Sequence, residues 1–346
     1  MFSPKYTITD NLLANIKRIN TLIAELNNRR FPQVVLVELE KAARAVSSYA
    51  STSIEGNPLG LTEVKKILKS TPAHIRMSEK EVLNYNEALD DLNKKLEENK
   101  VILSLTLILK IHRQITKGLL PDFDSGALRK KPVVVNDPRT GQVVYLPPNV
   151  EDVKPLLNDL IVFINSRRKR IDPLILAGIF HKQMVLIHPF VDGNGRATRL
   201  ATKVLLAEMG LNTFNLFSFE NYYNKNVTRY FETVGERGNY YELKANLDFG
   251  DWLEYFTEGI IDELLRVQKI LPEMGISPQS QLSPHHHKIL RFIGKRGFIS
   301  DRDYAKLVER ARATRALDFQ KLVNMGLIER KGKGKATYYI LKEVSI

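Results

Sequence analysis

A stretch of twelve residues near the middle of the chain concentrates side chains that can act on phosphate. It reads His188-Pro189-Phe190-Val191-Asp192-Gly193-Asn194-Gly195-Arg196-Ala197-Thr198-Arg199. Two glycines permit a tight backbone that presents free N–H groups at the start of the next helix, where phosphate commonly binds. Arg196 and Arg199 can hold phosphate oxygens bidentately, and Asp192 can bridge a Mg²⁺ ion on those phosphates. His188, with an ordinary pKa near 6.5, can act as a general base. The stretch therefore predicts nucleotidyl or phosphoryl transfer.

A structural alternative exists for each of these residues taken alone. A capped helix–loop–helix with a hydrogen-bonded histidine would use a lone His or a lone Gly-x-Gly in the same way. That alternative does not explain why a base, a carboxylate, an anion-binding turn and paired arginines coincide within one short segment. The coincidence favours the chemical interpretation.

The same stretch resembles the signature of the Fic (Fido) family, His-x-Phe-x-Asp/Glu-Gly-Asn-Gly-Arg-x-x-Arg, at every fixed position. The resemblance covers roughly residues 100–270 and reaches the N-terminal helices. It implies a protein adenylyltransferase that moves AMP from ATP to a Tyr, Thr or Ser hydroxyl of a protein target. A related phosphotransferase subgroup has Lys where this chain has Gly195, which favours AMP transfer here.

The resemblance also implies roles for individual residues. His188 deprotonates the target hydroxyl, which attacks the α-phosphate in line, while Asp192 holds Mg²⁺. The remaining residues of the loop bind the triphosphate: Gly193, Asn194 and Gly195 cradle it, Arg196 faces the β-phosphate and Arg199 the γ-phosphate.

Two further assignments depend on the family's flap and adenine pocket. The flap strand Val133 to Asn136, which includes the nucleotide-binding candidate Val135, is expected to pair with the backbone of the target. Tyr230 and Asn239 are candidates for the adenine pocket, and for Tyr230 core packing is an equal alternative.

An inhibitory segment is indicated by Ser51-Thr52-Ser53-Ile54-Glu55-Gly56-Asn57, which resembles the family's motif Ser/Thr-x-x-x-Glu-Gly/Asn. Glu55 should fall on the last helical turn before Gly56, where a carboxylate opposes the helix dipole and calls for a cationic partner. The hypothesis is that Glu55 pairs with Arg199 and occupies the γ-phosphate position. An exposed Glu at a helix end is the alternative.

The elements that must position these residues are almost all helical. Apolar residues at three- and four-residue spacing predict helices over the following stretches: 11–26, 32–55, 61–68, 78–96, 103–115, 153–166, 173–187 and from 196 to near 207. The helix after Asp172 and Pro173 is apolar on nearly all sides, so we expect it to be the central buried helix. Val133–Val135 and Val143–Tyr145 flank a turn-rich segment and predict an inserted β-hairpin.

From Pro284 onward the pattern predicts a winged helix-turn-helix with helices over 288–293, 301–308 and 313–325. Ser300 is expected to cap the second of these helices, and the third is the expected recognition helix. Arg312, Arg315 and Lys321 are the residues expected to face DNA. Residues 285–346 hold 15 Lys and Arg against six Asp and Glu, out of a net charge of +13 for the whole chain. Such a basic segment favours nucleic acid as a partner, and a protein-docking or dimerisation winged helix is the alternative. Proline and glycine between Pro272 and Pro284 mark a boundary.

The predicted fold is mainly α: a Fic helical core with a β-hairpin flap, followed by the winged helix-turn-helix. The expected divisions are residues 1–98 with the inhibitory motif, 99–272 as the catalytic core, and 284–346 as the winged helix. The chain has no Cys, which excludes disulfides, thiolate catalysis and cysteine metal sites. No targeting or membrane segment is evident, and a cytoplasmic location is expected.

The expected substrate is ATP, the expected cofactor Mg²⁺, and the expected partner a protein target bound along the flap. DNA binding through the winged helix and a homodimer are open hypotheses. The alternative function is a DNA-binding regulator that senses a nucleotide and has no transferase activity.

Overall fold

The computed structural model describes residues 2–29, 33–98, 101–137, 140–211, 215–271 and 282–342. Its contacts divide the chain into two units, one formed by residues 1–21 and 43–263 and the other by residues 22–42 and 264–346. Most of the predicted boundary, residues 272–281, lies outside the described residues, as does Pro32, the predicted start of the second helix.

Helices dominate both units. Three helices contribute residues to both: α1 (Asp10–Asn27), α2 (Gln33–Ile54) and α12 (Gly250–Ile270). The other helices of the first unit are α3 (Leu61–Lys69), α4 (Met77–Glu97), α5 (Leu105–Thr116), α6 (Val150–Arg167), α7 (Pro173–Ile187), α8 (Asn194–Ala207), α9 (Glu220–Lys225), α10 (Val227–Val234) and α11 (Tyr240–Leu243).

Helix α7 forms the centre of the first unit, as predicted. The Asp172 side chain caps it by accepting a hydrogen bond from the Leu174 N–H at 2.8 Å, and Pro173 occupies its first position. Thirteen of its fifteen residues are buried, which leaves no solvent-facing side. Helix α8 packs along it and also contacts α4 and α5. The loop between α7 and α8 is therefore held by four helices.

The predicted hairpin is shorter than expected and gains a third strand. β1 (Val135–Asn136) pairs antiparallel with β2 (Val143–Leu146), and β2 pairs in parallel with β3 (Gly238–Asn239). The sequence did not predict β3, because two residues carry no readable periodicity. The strand order β1-β2-β3 leaves one edge of β1 unpaired within this sheet.

The C-terminal part contains α13 (Pro284–Arg296), β4 (Ile299–Ser300), α14 (Asp301–Ala305), α15 (Arg312–Asn324), β5 (Ile328–Lys331) and β6 (Tyr338–Leu341). The strands form an antiparallel sheet in the order β4-β6-β5. Ser300 caps α14, as predicted, by accepting a hydrogen bond from the Asp303 N–H. This order of elements is compatible with a winged helix, and the winged-helix assignment stays a prediction.

One sequence expectation for this part needs correction. Arg315 does not present its guanidinium to solvent, because Nε and Nη2 donate to the Asp301 carboxylate at 2.8 and 2.9 Å and Nη1 donates to the Arg310 carbonyl. Arg312 and Lys321 remain exposed. Among the helices that the structure describes, none has the length and apolar character that crossing a membrane requires.

Candidate active site

The loop between α7 and α8 is shaped by two residues in left-handed backbone conformation. Because a residue that precedes proline is disfavoured in α geometry, Pro189 ends α7 at the position before it. His188 takes φ +48° at that position, as the cap of α7. Gly193 takes φ +77° directly before α8, where a Cβ would approach the Thr116 methyl to 3.1 Å. The first intrahelical bond of α8 runs from the Ala197 N–H to the Gly193 carbonyl. The N–H groups of residues 194–196 thus lack intrahelical acceptors and can bind an anion.

Asn194 fixes the loop rather than reaching for a ligand. Its Oδ1 accepts from the Phe190 N–H and its Nδ2 donates to the Phe190 carbonyl, both at 2.9 Å. The side chain is buried and uses both polar atoms on the loop backbone. Any contribution of Asn194 to a phosphate cradle therefore comes from its backbone N–H.

His188 is poised to accept a proton. Its Nδ1 lies 3.2 Å from the Val185 carbonyl, so Nδ1 carries the hydrogen and Nε2 is left with a free lone pair. Loss of hydration lowers the pKa of His188, against a smaller opposing effect of the Val185 hydrogen bond, and Glu55, Arg129 and Asp192 are close enough to act on it. The imidazole is thus neutral at neutral pH, which is the form that a general base needs.

Arg199 is fully buried and held by the end of α2. Its Nε donates to the Ser51 hydroxyl at 2.8 Å, and its Nη2 donates at 2.7 Å to both the Ser51 carbonyl and Glu55 Oε1. Burial alone would lower the pKa of Arg199, and the Glu55 carboxylate is the first of the neighbours that raise it instead. The ion pair between Glu55 and Arg199 is therefore present, with most of the guanidinium donors already engaged.

Gly195 makes room for this ion pair. A Cβ at position 195 would overlap the Glu55 carboxylate and approach Arg199 Nη1 to 2.9 Å. Since α2 ends at Ile54 and Gly56 takes φ +90°, Glu55 leaves the helix at the point where it can enter this space. The side chain absent at 195 and the carboxylate at 55 occupy complementary positions.

Arg196 lies between two carboxylates. Its Nη2 donates to Asp192 Oδ2 at 2.9 Å, and its Nη1 is 2.6 Å from Glu81 Oε1 on α4. The buried Nε and Nη1 have no hydrogen-bond partner among the described residues, so the contact of Nη1 with Glu81 is an ion pair without hydrogen-bond geometry. Donors for a phosphate oxygen therefore remain on this side chain.

Asp192 is suited to hold Mg²⁺ together with a nucleotide. Its side chain is 57% exposed, so the carboxylate can reach an ion at the loop surface. The part of the chain described by the structure contains no group of three or more His, Asp or Glu that could hold a metal by themselves. One carboxylate completed by phosphate oxygens and water is the usual Mg²⁺ arrangement, and the residues present fit it.

His112 on α5 is a site residue that sequence reasoning missed. Its Nδ1 accepts from the Gly126 N–H at 2.9 Å, so Nε2 carries the hydrogen and donates to the Asp192 carbonyl at 2.9 Å. Its ring stacks on Phe190 with centroids 3.7 Å apart. The sequence carries no readable signal for this role, because His112 is one polar residue within a helix whose buried side is mostly isoleucine. Through its hydrogen bond to the Asp192 carbonyl and its stacking on Phe190, His112 positions the loop backbone.

Burial lowers the pKa of His112 to about 4, with the Asp192 hydrogen bond and the charges of Arg196, Asp192 and Asp124 as smaller influences. The unfolded chain binds this proton near pH 6.5, so unfolding takes up a proton between those values and the folded state loses stability as the pH falls from 6.5 to 4, by about 3 kcal/mol at most. We expect His112→Asn to weaken the protein at pH 7.5 and to show a shallower fall in melting temperature below pH 6.5. The exposed His74→Asn is the matched control, and equal slopes for His112→Asn and wild type would contradict the assignment.

Arg129, also missed, connects the flap to the loop. Its backbone N–H donates to the Pro189 carbonyl and its Nε to the His188 carbonyl, both at 2.9 Å, while Nη2 donates to the Pro148 carbonyl after β2. From the flap side, the Tyr145 hydroxyl donates to the Leu186 carbonyl at 2.9 Å. The flap and His188 are thus fixed to each other.

The remaining candidates fall in different places. Val135 packs against the cluster of Tyr145, Leu186 and Tyr240, so its side chain supports the flap. Tyr230 is buried, with its hydroxyl 3.0 Å from His181 Nε2 and 3.5 Å from Arg199 Nη1, so the core-packing alternative describes it. Asn239 lies in β3 and its Oδ1 caps the short helix α11.

These features define a class of protein. It is a mainly helical domain with an anion-binding loop at the centre of its helices, and a small flap covers that loop. Residues 102–206 match the Fic/DOC family, and this stretch contains α5 to α7, α8 except its last residue, both strands of the hairpin and the loop. Residues 102–206 are therefore the part of the chain that is similar to Fic/DOC domains.

Known proteins resemble more of the chain. It is 29% identical over 217 residues to a protein adenylyltransferase Fic of Aedes aegypti, covering 57% of this chain and 42% of that protein. It is 27% identical over 248 residues to one of Nematostella vectensis, covering 69% and 52%. The chain thus spans about half the length of the curated relatives it matches.

Solved structures share the fold. A Fic family protein from Desulfovibrio desulfuricans superposes with a TM-score of 0.66 at 22% identity, covering 98% of both chains. Fic-1 from C. elegans gives 0.57 at 23% identity, covering 74% of this chain and 71% of that one. At these identities the likeness supports the fold.

Proposed function

We propose that this chain is a protein adenylyltransferase that moves AMP from ATP to the hydroxyl of a Tyr, Thr or Ser residue in a protein. The observation that carries the proposal is the unprotonated Nε2 of His188 at the start of the loop between α7 and α8. The N-terminus of α8 and its two buried arginines, which follow this loop, suit a triphosphate. The names of the relatives agree with it.

In this proposal His188 Nε2 takes the proton from the target hydroxyl. The hydroxyl oxygen then forms a bond to the α-phosphorus, and the bond from that phosphorus to the oxygen bridging to the β-phosphate breaks, releasing pyrophosphate. The N–H groups at the start of α8 and the guanidinium of Arg196 stabilise the charge on the phosphates. Asp192 would hold Mg²⁺, which neutralises further phosphate charge when it is bound.

Glu55 acts as a brake on this reaction. Arg199, assigned to the γ-phosphate, is engaged by Ser51 and Glu55 and has little capacity left for a phosphate. A triphosphate must then bind without this contact, which leaves its α-phosphate away from the in-line position.

The protein target binds along the flap. β1 lies at the edge of its sheet, and Val134 and Val143 expose about half of their side chains there, at 46% and 54%. An extended segment of the target can add to β1 as a further strand and place its hydroxyl side chain near His188. Pairing through the backbone accepts many sequences, which fits a hydroxyl donor of several residue types.

The test is label transfer with ATP carrying ³²P at either the α- or the γ-phosphate, using Glu55→Gly protein and Mg²⁺. Label should reach protein from α-labelled ATP and not from γ-labelled ATP. Transfer from the γ-position would indicate a kinase-like reaction. Tight ATP binding without any transfer would favour the nucleotide-sensing regulator.

Duplex DNA is a second partner that we propose, bound by the exposed face of α15. The only acidic residue of this helix, Asp318, is buried and paired with Arg310 and Tyr304, so the exposed face carries no negative charge. That face presents Arg312, Gln320, Lys321 and Asn324, whose side chains suit phosphates and adenine edges in a major groove.

A gel shift with duplex DNA should show binding at about 50 mM salt that weakens at least tenfold at about 200 mM. The double substitution Arg312→Ala with Lys321→Ala should weaken it at both salt concentrations. Absence of any shift at low salt would favour a protein-docking role. A homodimer and a cytoplasmic location remain hypotheses from the sequence.

A further inference from the structure

The turn that follows α2 reaches both arginines in the first turns of α8, and not only Arg199. Glu55 binds Arg199 directly, with 2.7 Å between Oε1 and Nη2. Two residues later, Asn57 Nδ2 donates to Glu81 Oε2 at 2.6 Å, and Glu81 Oε1 lies 2.6 Å from Arg196 Nη1. The second contact is indirect, and its middle member is a carboxylate on α4.

Glu81 is held in this position. Asn57 is largely buried and fixed at both ends of its amide, since Nδ2 also donates to the Ser78 carbonyl at 2.9 Å and Oδ1 accepts from the Leu59 N–H at 3.1 Å. Glu81 itself is only 17% exposed. Displacement of the turn would break the hydrogen bond from Asn57 and leave Glu81 free to change rotamer.

While Glu55 contacts Arg199 and Glu81 contacts Arg196, the side-chain charges at the site do not suit a bound anion. Two guanidiniums, 196 and 199, face three carboxylates, Glu55, Glu81 and Asp192. The arginines are almost completely buried, so water screens their interactions with Glu55 and Glu81 weakly, whereas Asp192 is exposed and is screened more strongly. Among these side chains, release of Glu55 alone balances the two signs, and the further loss of Glu81 leaves a net positive charge that favours a triphosphate.

We propose that Glu81 is a second arm of the brake: through Asn57 it is coupled to the turn that carries Glu55, and it keeps Arg196 from the β-phosphate as Glu55 keeps Arg199 from the γ-phosphate. This inference rests on the proposed function for the identity of the ligand. What is new is the inhibitory role of Glu81, a residue that lies outside both sequence motifs.

The experiment measures binding of ATP, ADP and AMP with Mg²⁺ by calorimetry to Glu55→Gly protein with and without Glu81→Gln. Glutamine keeps the shape and loses the charge, so ATP and ADP should bind about three- to tenfold more tightly. AMP, which has no β-phosphate, should bind equally to both proteins. Glu87→Gln is the matched control, because it removes the same charge from an exposed position of α4 and should change nothing.

In the same Glu55→Gly background, Asn57→Ala provides an independent variant that leaves Arg196, Glu81 and Asp192 intact. It should tighten ATP and ADP in the same direction and by less, because Glu81 stays charged and only loses its tether. If Glu81→Gln fails to fold, this variant carries the test by itself.

Three outcomes would overturn the proposal. Weaker ATP and ADP with AMP unchanged would mean that Glu81 positions Arg196 for the phosphate. Equal weakening of all three nucleotides would show a structural role, and no change would show no role. Because the readout is binding, a chain that binds ATP and transfers nothing would refute the adenylyltransferase and leave the role of Glu81 decided on its own evidence.

Discussion

Glu55→Gly should raise transfer of AMP from ATP to protein about 10- to 100-fold over the wild-type chain. In the wild type, Glu55 holds Arg199 by a charge-assisted hydrogen bond in which the guanidinium is fully buried and the carboxylate is partly exposed. Such a bond contributes about 1.5–3 kcal/mol, and each 1.4 kcal/mol corresponds to a factor of ten in rate. Automodification with α-labelled ATP and Mg²⁺ is the measurement.

Isosteric variants separate charge from flexibility in this experiment. Glu55→Gln removes the charge and keeps the side chain, so it should give an intermediate increase, while Glu87→Gln on the exposed side of α4 should give none. Equal labelling of the wild type and Glu55→Gly would refute the brake and leave the transferase in place.

The same substitution should lower stability. Arg199 remains buried after Glu55 is removed, still bound to Ser51 and without its counter-charge. We expect the free energy of unfolding to fall by about 1–3 kcal/mol, since Glu55 is partly exposed and the pair is not fully desolvated. ATP with Mg²⁺ should raise the melting temperature of Glu55→Gly by more than that of the wild type, because ATP binds the freed guanidinium. Thermal denaturation with and without nucleotide measures both effects.

His188→Ala should abolish AMP transfer, with a loss of about 10²- to 10⁴-fold in the Glu55→Gly background. The reason is that Nε2 of His188 is the acceptor for the hydroxyl proton, and its Nδ1–H is already committed to the Val185 carbonyl. ATP affinity should change little, since the anion site is built by the start of α8 and the arginines. The exposed His74→Ala is the control for loss of a histidine.

The pH profile gives a second readout of the same residue. Transfer requires neutral His188, and burial lowers its pKa below the ordinary value. Activity should therefore stay level through neutral pH and fall only as the pH drops below about 6.5. A fall that begins above pH 7 would contradict the neutral, buried base, and retention of activity in His188→Ala would require another base.

Those parts of the site that depend on neighbouring residues along the chain could be predicted from the sequence. The cap at Asp172, the end of α7 before Pro189 and the start of α8 beyond Gly193 follow from local backbone preferences. The place where Glu55 leaves α2 follows from Gly56 in the same way. The pairing of Glu55 with Arg199 could be anticipated only because two motifs resembled one family.

The residues that support the loop could not be predicted. His112, Arg129 and Glu81 lie far from residues 188–199 in sequence, and each is an ordinary polar residue within its own element. Their contacts arise when α4, α5 and the flap pack around α7 and α8, and no local periodicity encodes that packing. The third flap strand, of two residues, was hidden for the same reason.

By itself, the sequence determined the chemistry available at the loop. A base, a carboxylate, glycines and arginines lie within the twelve residues 188–199, and their spacing is a local property of the chain. Only the tertiary structure decided how that chemistry is restrained. The three carboxylates that face the two arginines come from separate segments, and a charge acts on another through space rather than along the chain.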